Sequence, residues 1–151
     1  MTGAKPIMIL MADDDPDDRN MTREAFRESR LANDLRFVED GVELMDFLRH
    51  TGKYTDPVQA PRPGLILLDL NMPKKDGREA LAEIKTDPKL QSIPVIVLTT
   101  SKEEEDIFRS YQLHANSYIT KPVKFDELVH VVTSLGKYWI EIVELPHPPH
   151  P

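Results

Sequence analysis

The sequence predicts an α/β protein, a doubly wound (βα)5 sheet of five parallel strands with helices on both faces. One observation predicts this fold class, and two others set the limits of the domain. Five short apolar runs alternate with longer segments of helical periodicity, which is the pattern of a parallel sheet covered on both sides. The length of 151 residues suits a single domain. The chain has no cysteine, so its core must form without disulfides or thiolate metal sites.

Each predicted strand is a short apolar run, and the first is apolar on both faces, as a central parallel strand should be. The predicted strands cover residues 7–12, 35–39, 65–69, 93–99 and 117–120. Residues 51–63 contain one glycine and three prolines and are predicted to form a loop. This loop is longer than most connections in such folds, and long loops are often functional.

The predicted helices begin at capping residues. Asp15 caps the first helix, and Pro16 occupies its first position. Three further helices open at pairs with capping-box spacing: Asp40 and Glu43, Asp76 and Glu79, Ser101 and Glu104. The fifth helix is predicted over residues 125–135, where apolar side chains recur at helical spacing.

The charge balance excludes several classes of protein. The chain has 26 acidic and 19 basic residues and a formal net charge of −7. Nonspecific nucleic-acid affinity depends on clustered lysine and arginine, so nucleic acid is not an expected partner.

No apolar run approaches the ~20 residues that span a bilayer, and residues 1–5 do not precede the apolar stretch of a secretory signal. We therefore expect a cytoplasmic protein with no membrane partner.

Polar residues stand where the predicted strands end. Asp13 and Asp14 follow the first strand, Asp69 ends the third, Thr99 ends the fourth and Lys121 follows the fifth. The ligand site of an open parallel sheet lies at the carboxyl ends of its strands, so these residues should meet. Three carboxylates in one cleft repel each other unless a cation lies among them, and oxygen ligands suit Mg²⁺.

The same residues are complementary for phosphoryl transfer to an aspartate. Lys121 supplies a compact positive charge and Thr99 a hydroxyl donor. Such transfer depends mostly on positioning and on neutralisation of charge. Asp69 is therefore the predicted nucleophile, and Asp13 and Asp14 are the predicted ligands of the ion.

Four segments carry these residues in order. They are MADDDPDD at the acid pair, LILLDLNMPKKDG at the third strand, PVIVLTT at the hydroxyl and SYITKP at the lysine. Together they resemble the response-regulator receiver domain family from about residue 7 to residue 135, which implies the flavodoxin-like fold of receivers. The long loop, the segment NMPKKDGREALAEIK and a Trp-containing tail further resemble the single-domain regulators that partner bacterial phytochrome histidine kinases.

The resemblance implies a role for each acidic residue of the site. Asp69 would accept phosphate from a kinase phosphohistidine. A Mg²⁺ ion would be held by Asp14, Asp69 and the backbone carbonyl of Asn71. Asp13 would contribute to the ion through water.

The resemblance also implies a switch. Lys121 would pair with a phosphoryl oxygen, and Thr99 would move to hydrogen-bond another. Tyr118 stands at the position of the aromatic switch residue, whose rotamer follows the threonine. The Lys121–Pro122 peptide bond is expected to be cis. Thr100 stands where small residues are common, and its bulk could slow access to the phosphorylated aspartate.

Other polar residues are interpreted without a site. Asp15, Asp17 and Asp18 are interpreted as a solvated helix start, since acids favour the positive end of a helix. The histidines lack metal-ligand spacing or lie in the proline-rich end: His50, His114, His130, His147 and His150.

We expect one receiver domain over residues 1–145 and a disordered Pro/His tail, or an added remnant, over residues 146–151. After the receiver no residues remain for a DNA-binding or enzymatic output domain, so output is expected through a protein contact, a dimer change or onward phosphotransfer. Residues 139–145 are unusually apolar. They favour a homodimer through the last helix and C-terminal segment, or docking of the kinase.

The leading hypothesis is a stand-alone phosphoacceptor of a two-component, phytochrome pathway, with a histidine kinase as partner. It would be no enzyme beyond self-catalysed phosphotransfer and dephosphorylation. A hydrolase with an aspartyl-phosphate intermediate is an alternative, but such enzymes generally want an acid two residues after the nucleophile, where this chain has Asn71. A phosphorylation-independent scaffold is a further alternative, although it would gain nothing from three clustered carboxylates.

Overall fold

A computed structural model of the chain describes residues 7–29, 33–99, 115, 117–122 and 124–135. Its strands are β1 Ile9–Ala12, β2 Leu35–Val38, β3 Leu65–Asp69, β4 Val95–Thr99 and β5 Ser117–Thr120. They form one sheet in the order β2-β1-β3-β4-β5, with every neighbouring pair parallel. The described helices are α1 Pro16–Glu28, α2 Gly41–Arg49, α3 Gly77–Thr86 and α4 Phe125–Leu135. The predicted fold class is confirmed.

The two faces of the sheet are buried by different helices. Successive side chains of a strand point to opposite faces, so Leu10 and Ile9 belong to separate cores. The Leu10 core includes the buried apolar side chains of α2 and α3. The Ile9 core includes those of α1 and α4. This two-sided burial explains why the central strands are apolar throughout rather than alternating.

The predicted caps of three helices are confirmed. The side chains of Asp15, Asp40 and Asp76 each accept a hydrogen bond from a backbone amide of the first turn, at 2.8, 2.7 and 3.0 Å. Each bond satisfies one of the amides that a helix start leaves without a partner. The cap of α1 stands three residues after the end of β1, so it fixes where this helix leaves the carboxyl edge of the sheet.

The predicted loop at residues 51–63 contains no helix or strand, as expected. It is fastened to α2 by Tyr54, whose ring packs edge-on against Phe47 with the ring centroids 5.0 Å apart. The Tyr54 hydroxyl also donates a hydrogen bond to the Glu43 carboxylate. Burial and that carboxylate both raise the pKa of Tyr54. The long loop is therefore held against α2 by packing.

Some predicted boundaries were wrong by one or two residues. β1 and β4 begin at Ile9 and Val95, two residues later than predicted, and β2 ends at Val38, one residue earlier. Before β4 stands Pro94, which has no amide to donate to a strand ladder. Its carbonyl still accepts a hydrogen bond from Ile66 at 2.9 Å.

Several predictions fall outside the described residues. They are the fourth predicted helix from Ser101, the bulk of Thr100, the apolar stretch 139–145 and the Pro/His tail 146–151. Among the helices that the structure describes, none is long and apolar enough to cross a membrane.

Candidate functional site

The register of the sheet brings the predicted site residues to one edge. β1 pairs with β3 so that Asp13, the residue after β1, comes beside Asp69 at the end of β3. β4 pairs with β5 so that Thr99 lies opposite Thr120, and Lys121 follows directly. The predicted convergence of these loops is therefore present in the structure.

Three carboxylates form an acidic cluster at this edge. Asp13, Asp14 and Asp69 each present one oxygen, and these oxygens lie within 4.8 Å of one another. Asp13 and Asp69 are buried, whereas Asp14 is exposed. Hard divalent cations prefer such oxygen ligands and keep some of their water. The cluster is compatible with a divalent metal, with two fixed ligands and one that faces solvent.

Asp13 is held by contacts at its carboxylate and at its backbone carbonyl. Its Oδ1 accepts a hydrogen bond from the Asp15 amide at 2.9 Å, and its Oδ2 lies 2.8 Å from the Lys121 ammonium. Its backbone carbonyl accepts a hydrogen bond from Arg19 at 2.8 Å. Burial raises the pKa of Asp13, and the bonds to Lys121 and Asp15 oppose that rise only in part.

Asp69 is the buried carboxylate at the centre of the edge, with its side chain 4% exposed. Its Oδ1 accepts a hydrogen bond from the Asn71 amide at 3.3 Å, and its Oδ2 lies 3.3 Å from the Lys121 ammonium. Burial raises the pKa of Asp69 to about 6, helped by the negative charge of Asp13 and opposed by Lys121. Asp69 is thus an anion in an environment that disfavours its charge.

Lys121 joins the acids into one network. Its backbone amide donates to the Thr99 carbonyl at 2.7 Å, which fixes the start of its side chain. Its ammonium lies 2.7 Å from Asp18, 2.8 Å from Asp13 and 3.3 Å from Asp69. Burial alone would lower the pKa of Lys121, but the bonds to Asp13 and Asp18 and the charge of Asp69 raise it. The lysine is therefore a fixed cation.

The interpretation of Asp18 as a merely solvated helix residue was wrong. Its carboxylate accepts the hydrogen bond from Lys121 and belongs to the site network. Asp15 and Asp17, by contrast, are exposed in the first turn region as expected. A signal was available, because a helix that begins directly after the acid pair must place its first-turn side chains at the same edge of the sheet.

Thr99 and Tyr118 lie on the neighbouring strands β4 and β5. Thr99 is fully buried, and its hydroxyl has no hydrogen-bond partner in the described part of the chain. Tyr118 lies in β5 opposite Val97 and is half-buried against the core that includes α2 and α3. The buried hydroxyl is a donor available at the site.

The predicted cis bond before Pro122 was wrong, since the described residues contain no cis peptide bond. The trans form of a bond before proline is favoured by about 0.5–1 kcal/mol unless contacts select the cis form.

Comparison with known proteins assigns this geometry to a family. Residues 9–133 match the family described as the response regulator receiver domain. The chain belongs to this family. Among related proteins, response regulator Rcp1 of Synechocystis sp. is 45% identical over 141 residues, which cover 93% of this chain and 94% of Rcp1.

Solved receivers have the same architecture. The Mn²⁺-bound form of Rcp1 superposes with a TM-score of 0.80 at 45% identity, over 93% of this chain and 99% of that one. The phosphorylated cyanobacterial phytochrome response regulator RcpA gives a TM-score of 0.83 at 46% identity, over 94% and 99%. The predicted resemblance is confirmed: this receiver is homologous to phytochrome response regulators.

Membership of the family also settles the general activity. Response regulator receivers work in two-component systems, in which phosphorylation carries the signal and a histidine kinase is the partner. They are generally signal transducers rather than enzymes.

Proposed function

We propose that Asp69 is the phosphoacceptor and takes its phosphoryl group from a kinase phosphohistidine. The observation that carries the proposal is one buried carboxylate with a lysine ammonium 3.3 Å from its Oδ2 and with two more carboxylates nearby. A carboxylate oxygen attacks phosphorus, the P–N bond to the imidazole breaks, and its electron pair returns to the ring nitrogen. Family structures that hold a phosphoryl group, such as RcpA, support this chemistry.

Two further residues neutralise the transferred group. Lys121 pairs with one phosphoryl oxygen, since its ammonium already lies beside Asp69. Thr99 donates its hydroxyl to another oxygen, which gives that buried donor the partner it lacks among the described residues. Charge-assisted bonds of this kind are the strong ones in phosphoryl transfer. The same residues support self-catalysed transfer and dephosphorylation.

The acidic cluster is proposed to hold Mg²⁺. Asp14 and Asp69 would bind it directly, with the backbone carbonyl of Asn71, and Asp13 would contribute through water. A divalent ion there supplies charge neutralisation between Asp69 and the incoming phosphoryl oxygens. The oxygen-only donor set and the Mn²⁺-bound structure of Rcp1 support a divalent ion.

Tyr118 is proposed as the switch. It lies in β5, opposite the residue two positions before Thr99, and it is partly buried. When the Thr99 hydroxyl turns toward the phosphoryl group, the Tyr118 ring would follow it. The surface around β5 and α4 would then change for a partner.

The proposed partner is a phytochrome histidine kinase, because the relatives include phytochrome response regulators by name. The proposed domain is a receiver over residues 1–145, acting in the cytoplasm without nucleic acid. A homodimer through α4 and the C-terminal segment stays a prediction, since residues 136–151 lie outside the described part. No contact of the described residues favours a hydrolase. Such an enzyme generally wants an acid two residues after the nucleophile, and Asn71 at that position is not one.

Intact-mass spectrometry tests the phosphoacceptor directly. The protein is incubated with Mg²⁺ and either a phosphorylated phytochrome kinase or a small acyl-phosphate donor. We expect one added phosphoryl group on the wild type and none on Asp69→Asn.

The matched control is Asp17→Asn, which removes the same charge from an exposed position at the same edge. Within the described residues its carboxylate forms no hydrogen bond or ion pair, so this variant should be labelled like the wild type. Equal labelling of Asp69→Asn and wild type would rule out Asp69 as the acceptor.

A further inference from the structure

Asp18 makes a contact that the proposed phosphoacceptor chemistry does not require. Its Oδ2 lies 2.7 Å from the Lys121 ammonium, the shortest of the three ion pairs that Lys121 forms with described residues. The Asp69 carboxylate, which Lys121 is proposed to serve, is the most distant of the three at 3.3 Å. The lysine is thus held more closely by its neighbours than by the phosphoacceptor.

The ammonium has three N–H donors, and three carboxylates surround it: Asp13, Asp18 and Asp69. A phosphoryl oxygen that needs Lys121 must therefore share or replace one of these partners. Asp13 and Asp69 have side chains 0% and 4% exposed, so to leave either one unpaired in the interior costs free energy. Asp18 is 34% exposed and can return to water. It is the partner most easily exchanged.

Asp18 is also well placed to hold the lysine back. It lies in the first turn of α1, where its backbone carbonyl accepts a hydrogen bond from the Thr22 hydroxyl at 2.8 Å. The helix therefore fixes the backbone position from which the Asp18 carboxylate reaches the ammonium. Lys121 is fixed at its own backbone by the bond to the Thr99 carbonyl. The backbones of Asp18 and Lys121 are thus both fixed, and the ion pair between their side chains sets the position of the ammonium.

We propose that Asp18 is a positioning residue that holds Lys121 in a resting position and competes with the phosphoryl group on Asp69 for its ammonium. The inference rests on the proposed phosphoacceptor function. Occupation of Asp69 transfers one N–H of Lys121 from Asp18 to a phosphoryl oxygen, and the Asp18 carboxylate turns to solvent. Asp18 thereby lowers the affinity of the site for a phosphoryl group without touching that group.

Beryllium trifluoride, a mimic of a phosphoryl group on aspartate, measures this competition without any turnover. Its affinity is measured by isothermal titration calorimetry on the full chain in saturating Mg²⁺. We expect Asp18→Asn to bind it about three- to fivefold more tightly than the wild type, the size expected for the loss of a partly exposed ion pair. Asp18→Glu keeps a carboxylate within reach and should stay near the wild type.

Asp17→Asn is the matched control, because it removes the same charge from the same helical turn without contacting Lys121. An equal gain in this variant would show a general charge effect and overturn the proposal. Unchanged or weaker binding by Asp18→Asn would also overturn it. Should the Asn variant not fold, Asp18→Ser removes the same carboxylate and is read in the same way.

The titration separates this inference from the proposed function. If the wild type does not bind beryllium trifluoride, or Asp69→Asn binds it equally well, the phosphoacceptor proposal fails. If the wild type binds and Asp69→Asn does not, only the Asp18 variants decide the role of Asp18.

Discussion

At the scale of single residues, burial gives the site its chemistry. A carboxylate in water is stabilised by hydration. Asp13 and Asp69 are removed from water, so their negative charges are stabilised by one lysine instead. The sequence indicated which residues meet, because strand ends are read from apolar runs. It did not indicate that the pKa of Asp69 rises to about 6, since that value comes from desolvation by neighbours distant in the chain.

The raised pKa of Asp69 predicts a pH dependence of stability. In metal-free protein the folded state holds the Asp69 proton up to about pH 6, whereas the ordinary value is 3.8. The folded state therefore binds more protons between these values, and its free energy of unfolding falls as the pH rises through this window. Above about pH 6 the stability that comes from protonated Asp69 is fully lost. The difference of about two pKa units corresponds to roughly 3 kcal/mol at most.

Urea unfolding of wild type and Asp69→Asn in chelator, at pH 4.5 and 7.5, checks this. Asn does not titrate, so the variant should gain stability relative to wild type at the higher pH. Asp17→Asn should show no such gain. A difference between wild type and Asp69→Asn that is the same at both values of pH would contradict the shifted pKa.

The Thr99 hydroxyl predicts a substitution that is harmless to stability. An unsatisfied buried hydroxyl costs free energy, so the isosteric Thr99→Val should leave the free energy of unfolding unchanged or raise it by up to about 1 kcal/mol. Its binding of beryllium trifluoride should weaken. The control is Thr22→Val, at a buried threonine whose hydroxyl donates to the Asp18 carbonyl. That variant should lose about 1 kcal/mol, and an equal loss in Thr99→Val would show that Thr99 has a structural partner.

At the scale of elements, the caps were predicted from their neighbours in sequence and the close approach of α3 to β3 was not. A cap is a contact between residues two or three apart, so the spacing of Asp76 and Glu79 is enough to predict it. Gly77, in contrast, lies against the end of β3. A Cβ there would be 2.7 Å from the Asp69 carbonyl oxygen and 2.8 Å from the Leu70 Cα. Both of these contacts are to backbone.

Gly77→Ala is therefore predicted to destabilise the fold by about 1–3 kcal/mol, because backbone cannot yield as a flexible side chain does. The same displacement should slow labelling of Asp69. The exposed neighbour provides a control, since Arg78→Ala should change the free energy of unfolding by less than about 0.5 kcal/mol. Urea unfolding of both variants measures the effect. Equal stability of Gly77→Ala and wild type would mean that α3 can move away from β3.

At the scale of the whole molecule, the sheet separates two hydrophobic cores, and buried charged side chains lie at the carboxyl ends of its strands. Part of the net charge of −7 is concentrated there in buried acids. A cation that binds these acids in the folded state and not in the unfolded state stabilises the whole molecule. The site and the global stability are therefore linked.

We expect Mg²⁺ or Mn²⁺ to raise the melting temperature, with about 2.7 kcal/mol of stabilisation at a hundredfold excess over the dissociation constant. Asp14→Asn should abolish most of the shift, because this exposed carboxylate is a proposed ligand with little role in packing. Asp17→Asn should keep it. Differential scanning calorimetry with and without chelator tests this, and a full shift in Asp14→Asn would remove Asp14 from the proposed site.

Local patterns in the sequence were enough to predict the order of strands and helices along the chain, the caps and the convergence of Asp13, Asp14, Asp69, Thr99 and Lys121. These follow from local periodicity and from the rule that parallel strands end at one edge. Three features became visible in the folded chain alone: Asp18 holds Lys121, the Thr99 hydroxyl has no partner in the described residues, and Gly77 has no room for a side chain. These features depend on distances of a few ångströms between residues far apart in the chain, and no periodicity encodes such distances.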